Sequence, residues 1–328
     1  HHTMSDTYFV TGALGCIGAW VVKHLVERGD RPVVFDLGGD PRRIRDVLGE
    51  NGLAKVQFVA GDITDLEACK RAVAACQPRA IVHLAGLQVP FCRQDPALGA
   101  RVNVLGTIHV FEAALAAGVR RIAYASSAAV FGPSEDDGTA VAESTQQAPV
   151  THYGVYKQAN EGTARIYWLE KKLASVGLRP LTVYGVGRDQ GLTSGPTTAM
   201  KAAVLGRPFH IGFSGPTDFH YVADTAAAFV ACADGGPDGA LLYNLHGDTV
   251  DVADVVRTIE AECPTALGRI TIGGPRIPIP PLLDGRAFAR DYPQVPHTGL
   301  AAGIRDTIAR FRKLYAQGGL DVRDLPAK

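Results

Sequence analysis

Short apolar runs rich in β-branched and aromatic residues recur along the first half of the chain, and their lengths are typical of strands. They cover residues 8–10, 32–35, 56–59, 80–84, 121–125 and 178–183. Segments with helical spacing lie between them at 19–28, 65–76, 101–117 and 153–173, with Gly29, Gly118 and Gly177 as expected C-terminal caps. Strands that alternate with helices of this length predict an α/β fold with a doubly wound parallel sheet.

The pattern loosens from about Thr182 onward. Glycines and prolines are dense over residues 185–215, and no helix or central strand tolerates the proline-rich passage 275–281. A last helix is predicted at 300–314. We therefore expect a first domain over residues 4–181, to which segments around 218–247 return, and a smaller C-terminal lobe made mainly of residues 182–328.

Charge and hydropathy exclude several classes of partner. The 328 residues include 33 basic and 33 acidic ones, and a balanced surface produces no field that attracts nucleic acid or an anionic membrane. No stretch reaches the ~18–20 apolar residues of a membrane span, and no signal peptide is recognisable, so we expect a cytoplasmic protein. Residues 1–4 are interpreted as the remnant of a purification tag.

Six cysteines are scattered along the chain without a CxxC pair or a cluster with histidine. This arrangement predicts reduced thiols and no metal site. Cys16 lies within a glycine-rich turn, where we interpret it as a small side chain and not as a reactive thiol.

That glycine-rich turn follows the first predicted strand. Gly12, Gly15 and Gly18 form the pattern GxxGxxG between the strand and a helix. In this setting the first glycine permits a tight turn, the second lets the backbone approach a pyrophosphate, and the third lets the helix pack against the strand. Because the helix N terminus offers free N–H groups to phosphates, the turn predicts a dinucleotide site in a Rossmann-type fold.

The second predicted strand ends in Asp36. A carboxylate at this point can accept hydrogen bonds from both ribose hydroxyls of adenosine and repel a 2′-phosphate, which favours NAD over NADP as the cofactor. Arg42 and Arg43 follow a few residues later and could bind a phosphate. We interpret them instead as a solvated arginine pair, the commoner meaning of such a run.

Tyr153 and Lys157 lie four residues apart at the start of a predicted helix, so both project from one face. A tyrosine phenol has an ordinary pKa of about 10, and it acts as an acid or base near neutral pH only if a neighbouring charge such as an ammonium stabilises its phenolate. The strand at 121–125 delivers Ser127 to the carboxyl edge of the sheet, where α/β enzymes keep their sites.

These features belong to a longer series of motifs. In chain order the series is Thr11-Gly12-x-x-Gly15-x-x-Gly18, Gly61-Asp62-Ile63-Thr64-Asp65, His83-Leu84-Ala85-Gly86, Asn103-Val104-x-Gly106-Thr107, Ser126-Ser127-x-x-Val130-x-Gly132, Tyr153-x-x-x-Lys157 and Arg179-Pro180-x-x-Val183-Tyr184-Gly185. Over most of the chain it closely resembles the extended short-chain dehydrogenase/reductases, the NAD-dependent epimerase/dehydratase family.

The resemblance implies a catalytic trio and a cofactor site. Tyr153 would be the acid/base, Ser127 would orient the substrate oxygen, and Lys157 would bind the nicotinamide ribose. The implied contacts to NAD are Gly12, Gly15, Ile17 and Gly18 at the pyrophosphate, Asp36 at the ribose, Asp62 and Ile63 at the adenine, Leu84, Ala85, Gly86 and Asn103 at the nicotinamide side, and Pro180 and Leu181 at the carboxamide. It also implies a homodimer that pairs the helices at 101–117 and 153–173.

Some positions depart from the family pattern. Thr182 stands where nucleotide-sugar epimerases usually carry an asparagine, and Thr217 where they usually carry an arginine on the diphosphate. Without that guanidinium a diphosphate loses a charge-assisted contact, so we expect a smaller substrate such as a free sugar, a sugar acid or another polyhydroxy compound. Ala128 and Ala129 replace the Asp-Glu pair of the family's dehydratases, so dehydration is not expected.

Polar residues on loops that should overhang the nicotinamide end are candidate substrate contacts. They are Gln88, Ser126, Thr182, Arg188 and His220, together with Arg93 and His152. Arg188 is suited to an anionic group, whereas His220 is equally compatible with a structural histidine.

Three functions therefore stay open. The first is an NAD-dependent dehydrogenase acting on a secondary alcohol of a sugar or hydroxy acid. The second is a nucleotide-sugar 4-epimerase in which Arg188 or Arg207 replaces the missing arginine. The third is a catalytically silent NAD sensor, against which the intact Ser127, Tyr153 and Lys157 argue.

Overall fold

The computed structural model describes residues 5–135 and 138–327, so the interpreted tag remnant lies outside the described residues. The strands are β1 (Thr7–Thr11), β2 (Arg31–Asp36), β3 (Gln57–Ala60), β4 (Ala80–His83), β5 (Arg121–Ala125), β6 (Ala174–Arg179), β7 (Thr182–Tyr184), β8 (Phe209–Ile211), β9 (Pro216–Tyr221), β10 (Ala240–Asn244), β11 (Asp248–Asp251) and β12 (Ile270–Ile272). The helices are α1 (Cys16–Glu27), α2 (Arg42–Leu53), α3 (Leu66–Cys76), α4 (Val89–Gln94), α5 (Pro96–Ala100), α6 (Gly106–Ala117), α7 (His152–Lys171), α8 (Gly195–Val204), α9 (Val222–Asp234), α10 (Val252–Glu262), α11 (Arg286–Asp291) and α12 (Leu300–Ala316).

Seven strands form one parallel sheet in the order β10-β6-β5-β4-β1-β2-β3. Alternate residues of the central strand β1 enter the two cores on opposite faces, as the pleat requires. Tyr8 and Val10 pack in the core that contains α1 and α9, and Phe9 packs in the core that contains α3 and α6. Because the strand order runs outward from β1 in both directions and helices cover both faces, the predicted Rossmann-type fold is confirmed.

The strand predicted at 178–183 is two strands, β6 and β7. Pro180 separates them because it has no N–H to donate to a ladder. The expectation that Gly177 caps the preceding helix is wrong. Gly177 lies within β6, where a Cβ would come 2.6 Å from the ring of Tyr124, and α7 ends instead with Lys172 in the left-handed conformation (φ 55°).

The chain after β7 forms smaller sheets beside the main one. β9 pairs with β7 and β11, and β8 pairs with β12. The chain also returns to the large sheet, because β10 pairs in parallel with β6 and α9 packs against α1. The proline-rich passage runs as irregular chain between β12 and α11. The domain boundary near residue 181 stays a prediction.

A buried ion pair fixes helix α7 against the sheet. Arg179, the last residue of β6, donates to Glu161 of α7 from Nη2 to Oε1 (2.7 Å) and from Nε to Oε2 (2.8 Å). The same carboxylate accepts hydrogen bonds from Ser126 Oγ (2.5 Å), next to β5, and from Gln147 Nε2 (2.8 Å). Four donors therefore satisfy Glu161 and couple the ends of β5 and β6 to the helix that carries the predicted acid/base.

Glu161→Gln should lower the free energy of unfolding by about 3–5 kcal/mol, because it leaves the charge of Arg179 buried without a counter-ion. Guanidinium chloride denaturation measures this loss. Glu27→Gln is the matched control, since it removes only the partner of Lys23 in an exposed pair on α1 and should cost less than about 1 kcal/mol. Equal losses in the two variants would contradict the role assigned to Glu161.

Candidate active site

The glycine-rich turn joins β1, α1 and the end of β4. Gly12 has a φ of +70°, and a Cβ there would lie 2.5 Å from the backbone nitrogen of Ala85. At Gly18 a Cβ would lie 2.4 Å from the Cα of Ala13. Gly15 precedes α1 without a side-chain cap, and a Cβ there would meet only the carbonyl oxygen of Gly12, at 3.2 Å. The turn is therefore closely packed behind and open at the helix N terminus, which fits a bound pyrophosphate.

An open cavity of about 290 Å³ lies beside this turn. Leu14 of the turn, Asp36 at the end of β2 and Phe58 of β3 are among the residues that line it. Burial raises the pKa of Asp36 above its ordinary value, against the lowering effect of hydrogen bonds from the backbones of Leu37 and Leu14. A largely apolar cavity that ends at a carboxylate fits an adenosine whose ribose hydroxyls bind Asp36.

Asp62 and Ile63 follow β3, and their side chains serve the fold. Asp62 Oδ1 accepts hydrogen bonds from the backbone N–H (2.8 Å) and the hydroxyl (2.7 Å) of Thr64. Ile63 is buried against Gly106, the first residue of α6. Their contact with adenine stays a prediction.

A chain of hydrogen bonds joins the ends of β1 and β4. Thr11 Oγ1 accepts from the two backbone N–H groups that follow His83 (3.1 and 3.2 Å), so its own proton is donated to His83 Nδ1 (2.6 Å). His83 donates from Nε2 to Thr107 Oγ1 (2.9 Å), which donates to the carbonyl oxygen of Asn103 (2.7 Å). Burial lowers the pKa of His83 to about 3, so the ring stays neutral, as this order of donors requires.

Asn103 holds the loop after β4. It lies in a π-helical turn (Arg101–Leu105), donates from Nδ2 to the carbonyl of Leu87 (2.9 Å) and accepts at Oδ1 from the N–H of Leu87 (2.7 Å). Its own carbonyl also accepts from Asn160 of α7 (2.9 Å). The side chain therefore positions the loop that carries Gly86, and its direct contact with a cofactor stays a prediction.

Tyr153 and Lys157 lie in the first two turns of α7. Thr151 caps this helix by accepting a hydrogen bond from the N–H of Gly154 (3.0 Å). The Nζ atom of Lys157 lies 5.3 Å from the ring centroid of Tyr153 and donates to the carbonyl of Ala125 (2.9 Å). Lys157 is only 5% exposed, and two of its three ammonium protons remain for other acceptors.

Ser127 lies two residues after Ala125, at the same end of β5. Its Oγ accepts from the N–H of Ala129 (3.1 Å), which leaves the hydroxyl proton available for donation to another oxygen. The end of β5 thus holds Lys157 and presents Ser127, and the structure brings the predicted catalytic residues together at the carboxyl edge of the sheet.

Three predicted substrate contacts have side chains that are buried and hydrogen-bonded within the fold. Ser126 donates to Glu161. Thr182 is 0% exposed and its hydroxyl lies 2.8 Å from that of Thr217. His220 bonds to Thr225 through Nδ1 (2.5 Å), and burial lowers its pKa to about 4. All three side chains have partners within the fold, and their contact with a substrate stays a prediction.

Gln88 and Arg188 differ from those three residues. Gln88 Oε1 and Arg188 Nε are buried atoms that have no hydrogen-bond partner within residues 5–135 and 138–327.

The neighbouring candidates are more open. Arg93 is exposed on α4, and His152 is exposed and stacks on Tyr156 with a centroid distance of 6.0 Å. Pro180 is buried and Leu181 half-buried just after β6, where their predicted contact with the carboxamide is untested.

The interpretation of Arg42 and Arg43 as a solvated pair is wrong. Both guanidiniums bind Asp189, Arg43 through Nη2 (2.6 Å) and Arg42 through Nη2 (2.8 Å). Although burial opposes it, these two partners hold the pKa of Asp189 below its ordinary value. Arg43 also donates to the carbonyl of Leu14 (2.7 Å). The pair ties α2 to the glycine-rich turn and to the segment after β7. Asp189 together with Asp321, which binds Arg42 Nε (2.8 Å), neutralises its charge, so the pair is not held for a phosphate.

The structure agrees with the interpretation of Cys16 as a small and unreactive side chain. Burial raises the pKa of its thiol to about 12 and keeps it protonated.

Among the residues that the structure describes, no three histidine, cysteine or acidic side chains are grouped to hold a metal ion. No helix in the same residues is long and apolar enough to cross a membrane.

Sequence reasoning missed the two residues that support the site, Glu161 and His83. Glu161 lies four residues after Lys157, so helical spacing places it on the same face as the catalytic pair. The signal available in the sequence for Glu161 was an acidic residue on a helix face that must pack against a sheet. His83 stood in a motif of the series, but no feature of the sequence indicated its partners.

A doubly wound parallel sheet, an uncapped helix N terminus behind a glycine-rich turn, and a Tyr-Lys pair at the carboxyl edge define a dinucleotide-dependent oxidoreductase. The model of the NAD-dependent epimerase/dehydratase family matches residues 8–245, and the chain belongs to this family.

Several relatives and solved structures are similar to this chain over most of its length. A UDP-glucose 4-epimerase of Mycolicibacterium smegmatis is 32% identical to this chain, over 92% of the chain and 97% of the relative. A solved UDP-glucose 4-epimerase of Thermus thermophilus in complex with NAD is 25% identical, with a TM-score of 0.81 over 93% of this chain and 99% of that one. MoeE5, solved with UDP-glucuronic acid and NAD, is 27% identical, with a TM-score of 0.78 over 94% and 99%.

These findings confirm the predicted family, the predicted enzyme and NAD as its cofactor. They also agree with a hydride-transferring enzyme of sugar chemistry. The 4-epimerase alternative fits the relatives at least as well as the dehydrogenase does.

Gly12→Ala should weaken NAD binding by at least about tenfold, because the new methyl group would enter the backbone of Ala85 and displace the turn. Titration of the protein with NADH, followed by fluorescence, measures the affinity. Gly29→Ala is the matched control. Gly29 also has a positive φ (+89°), but nothing lies within 4 Å of the added Cβ, so this variant should lose about 1 kcal/mol of stability and keep its affinity. Unchanged NAD binding in Gly12→Ala would refute the packing argument.

Proposed function

We propose that this chain catalyses the NAD-dependent oxidation of a secondary alcohol in a small sugar, sugar acid or similar polyhydroxy compound, with Tyr153 as the acid/base. The supporting observation is the buried ammonium of Lys157, fixed on the carbonyl of Ala125 and 5.3 Å from the Tyr153 ring. An ammonium next to the ring stabilises the negative charge that the tyrosine oxygen carries when it is deprotonated.

The residues of the chain divide the work as follows. Ser127 donates its free proton to the substrate oxygen and orients the alcohol towards Tyr153. Tyr153, as the phenolate, takes the proton of the substrate hydroxyl and becomes the neutral phenol. Bound NAD, held by the glycine-rich turn, Asp36 and Lys157, supplies the acceptor for the hydride that leaves the same carbon.

The proposal of a small substrate is supported by the pair Thr182 and Thr217. Both side chains are 0% exposed and their hydroxyls bond to each other at 2.8 Å. Two neutral hydroxyls that satisfy each other offer no charge-assisted contact to a diphosphate. The usual arginine at the second of these positions is absent, so a nucleotide diphosphate would lack its guanidinium partner.

A second candidate is a nucleotide-sugar 4-epimerase, and the relative from M. smegmatis, 32% identical over 92% of this chain, favours it. The same Tyr153 would then remove the proton and later return it, with the transient ketone reduced on its other face. This candidate requires a different positive group for the diphosphate.

Incubation of the protein with NAD and a panel of free sugars, sugar acids and nucleotide sugars separates the two candidates. We expect absorbance at the NADH band to rise with a free sugar or sugar acid. Isomerisation of a UDP-sugar without net NADH, followed by chromatography, would establish the epimerase and overturn the dehydrogenase.

Tyr153→Phe should lower kcat by at least about 10²-fold, because it removes the group that accepts the proton, and should leave NAD affinity within about twofold. Tyr156→Phe is the matched control. Its hydroxyl donates to the carbonyl of Pro96 (2.7 Å), so this variant should lose about 1 kcal/mol of stability and keep its turnover. Full turnover in Tyr153→Phe would exclude the proposed mechanism.

We also propose that the chain forms a homodimer through α6 and α7. Helix α7 exposes Val155, Ile166 and Leu169 along one side, and Leu105 is exposed just before α6. A second copy that pairs the same helices would cover these apolar side chains.

Ile166→Glu should convert a dimer into a monomer in sedimentation equilibrium, because a dimer would bury the new carboxylate twice. Tyr315→Glu, on the exposed side of α12, should leave the mass unchanged. A wild-type protein that sediments as a monomer at micromolar concentration would refute the dimer.

A further inference from the structure

A polar cluster beside the catalytic residues takes no part in the mechanism above. Gln88 precedes α4, and Arg188 and Thr193 lie in the segment between β7 and α8. They surround Gly191, which has a φ of +104°. A Cβ at Gly191 would lie 3.1 Å from Gln88 Oε1 and 3.3 Å from Arg188 Nη2. Two side chains from distant parts of the sequence therefore converge over one glycine.

The cluster has hydrogen-bonding capacity that the described chain does not use. Gln88 Oε1 and Arg188 Nε are buried without a partner among residues 5–135 and 138–327, while Arg188 Nη2 donates to Thr193 Oγ1 (3.1 Å). A buried polar group without a partner is costly, so one free acceptor and one free donor in the same cluster indicate a place that a ligand completes.

The guanidinium of Arg188 also keeps its charge. Its neighbour Asp189 is already paired with Arg42 and Arg43, and Arg188 forms no ion pair within the described ranges. A partly buried cation without a counter-ion attracts an anion from solution.

The segment that carries Arg188 is held in place. Trp20 of α1 donates from Nε1 to the carbonyl of Val186 (2.8 Å), and the N–H of Gly185 donates to Thr197 Oγ1 (3.2 Å). The N–H of Arg188 donates to the carbonyl of Gly185 (3.1 Å). The arginine is therefore presented from a fixed backbone, which reduces the entropy that binding would cost.

The cluster borders the catalytic residues through Gln88. Gln88 lies two residues after Gly86, where a Cβ would be 3.6 Å from Lys157 Nζ, and directly after Leu87, whose backbone Asn103 clasps. Two residues span at most ~7 Å. Gln88 therefore links the cluster to the loop that lies beside Lys157.

We propose that Arg188, Gln88 and Thr193 form a subsite for a hydroxy carboxylate, and that it makes the enzyme select sugar acids or other hydroxy acids over neutral sugars. The free N–H of Arg188 donates to the carboxylate, and Gln88 Oε1 accepts from a neighbouring hydroxyl of the same substrate. A planar guanidinium suits a carboxylate, and the free acceptor beside it requires a donor that a simple anion lacks. This inference rests on the proposed function, which supplies the small polyhydroxy substrate.

Isothermal titration calorimetry of the NADH-bound protein tests the subsite without turnover. The ligands are D-gluconate, D-galacturonate and L-tartrate, each beside its neutral counterpart D-glucitol, D-galactose and L-threitol. At least one acid should bind about tenfold or more tightly than its counterpart. The absence of any such preference in the wild-type protein would overturn the proposal.

Arg188→Gln should remove the preference by weakening the acid about tenfold or more, while the neutral counterpart changes less than about twofold. Arg188→Lys should retain part of the preference, because it keeps the charge but loses the planar donor set. Arg305→Gln, at an exposed position on α12, is the matched control and should bind as the wild type does.

Two further measurements separate the alternatives. If Arg188→Gln instead weakens NAD about tenfold, the arginine binds the phosphates of the cofactor and the subsite for a substrate acid is refuted. Tyr153→Phe should keep the preference for the acid, since it changes the proton acceptor and not the subsite. Failure of the proposed reaction would therefore appear in turnover, whereas failure of this inference would appear in binding.

Discussion

The carboxylate of Glu161 is the constraint on which the site depends. Charges buried together are stable only when each is paired and hydrogen-bonded, and Glu161 meets this condition with four donors, two of them from Arg179. Three of those donors come from the ends of β5 and β6, so the ion pair fixes which face of the helix lies against the sheet. Lys157 lies one turn before Glu161 and Tyr153 one turn before Lys157, on the same face. The ion pair therefore also sets the face on which the catalytic residues lie.

The chain of hydrogen bonds through His83 positions the loops on the cofactor side of the site. It needs a neutral ring, because Thr11 must donate to Nδ1 while Nε2 donates to Thr107. The carbonyl of Asn103 at its far end belongs to the residue that clasps Leu87. The glycine-rich turn, the loop after β4 and the π-helical turn thus share one network. Because every group in the network is neutral, the network holds these loops without needing a counter-ion.

The sequence could predict the roles of residues that depend on their neighbours in the chain. Gly12 and Gly18 were identifiable from their spacing between a strand and a helix, and Asp36 because it ends the next strand. The structure supplies the reason for the glycines, since a side chain at either position would enter a neighbouring backbone. Roles that depend on distant partners were not visible. Arg42 and Arg43 look solvated in the sequence, and only the fold brings Asp189 to them. Ser126 and Ser127 show the limit most clearly. Adjacent residues in extended chain project to opposite sides, so one hydroxyl reaches Glu161 in the core and the other faces the site.

Partners distant in the sequence also explain why two buried threonines, which depart from the family pattern, bear on the substrate. Thr182 of β7 pairs with Phe219 of β9, two residues after Thr217, and the hydroxyls of the two threonines form a neutral contact between these strands. A guanidinium at either position could not form that contact, and its charge would need a counter-ion. A positive charge is present in Arg188, on the segment after β7 that hydrogen bonds tie to α1 and α8. The cation therefore lies on the loops beside Gln88 and not between the paired strands, which is consistent with the compact substrate proposed above.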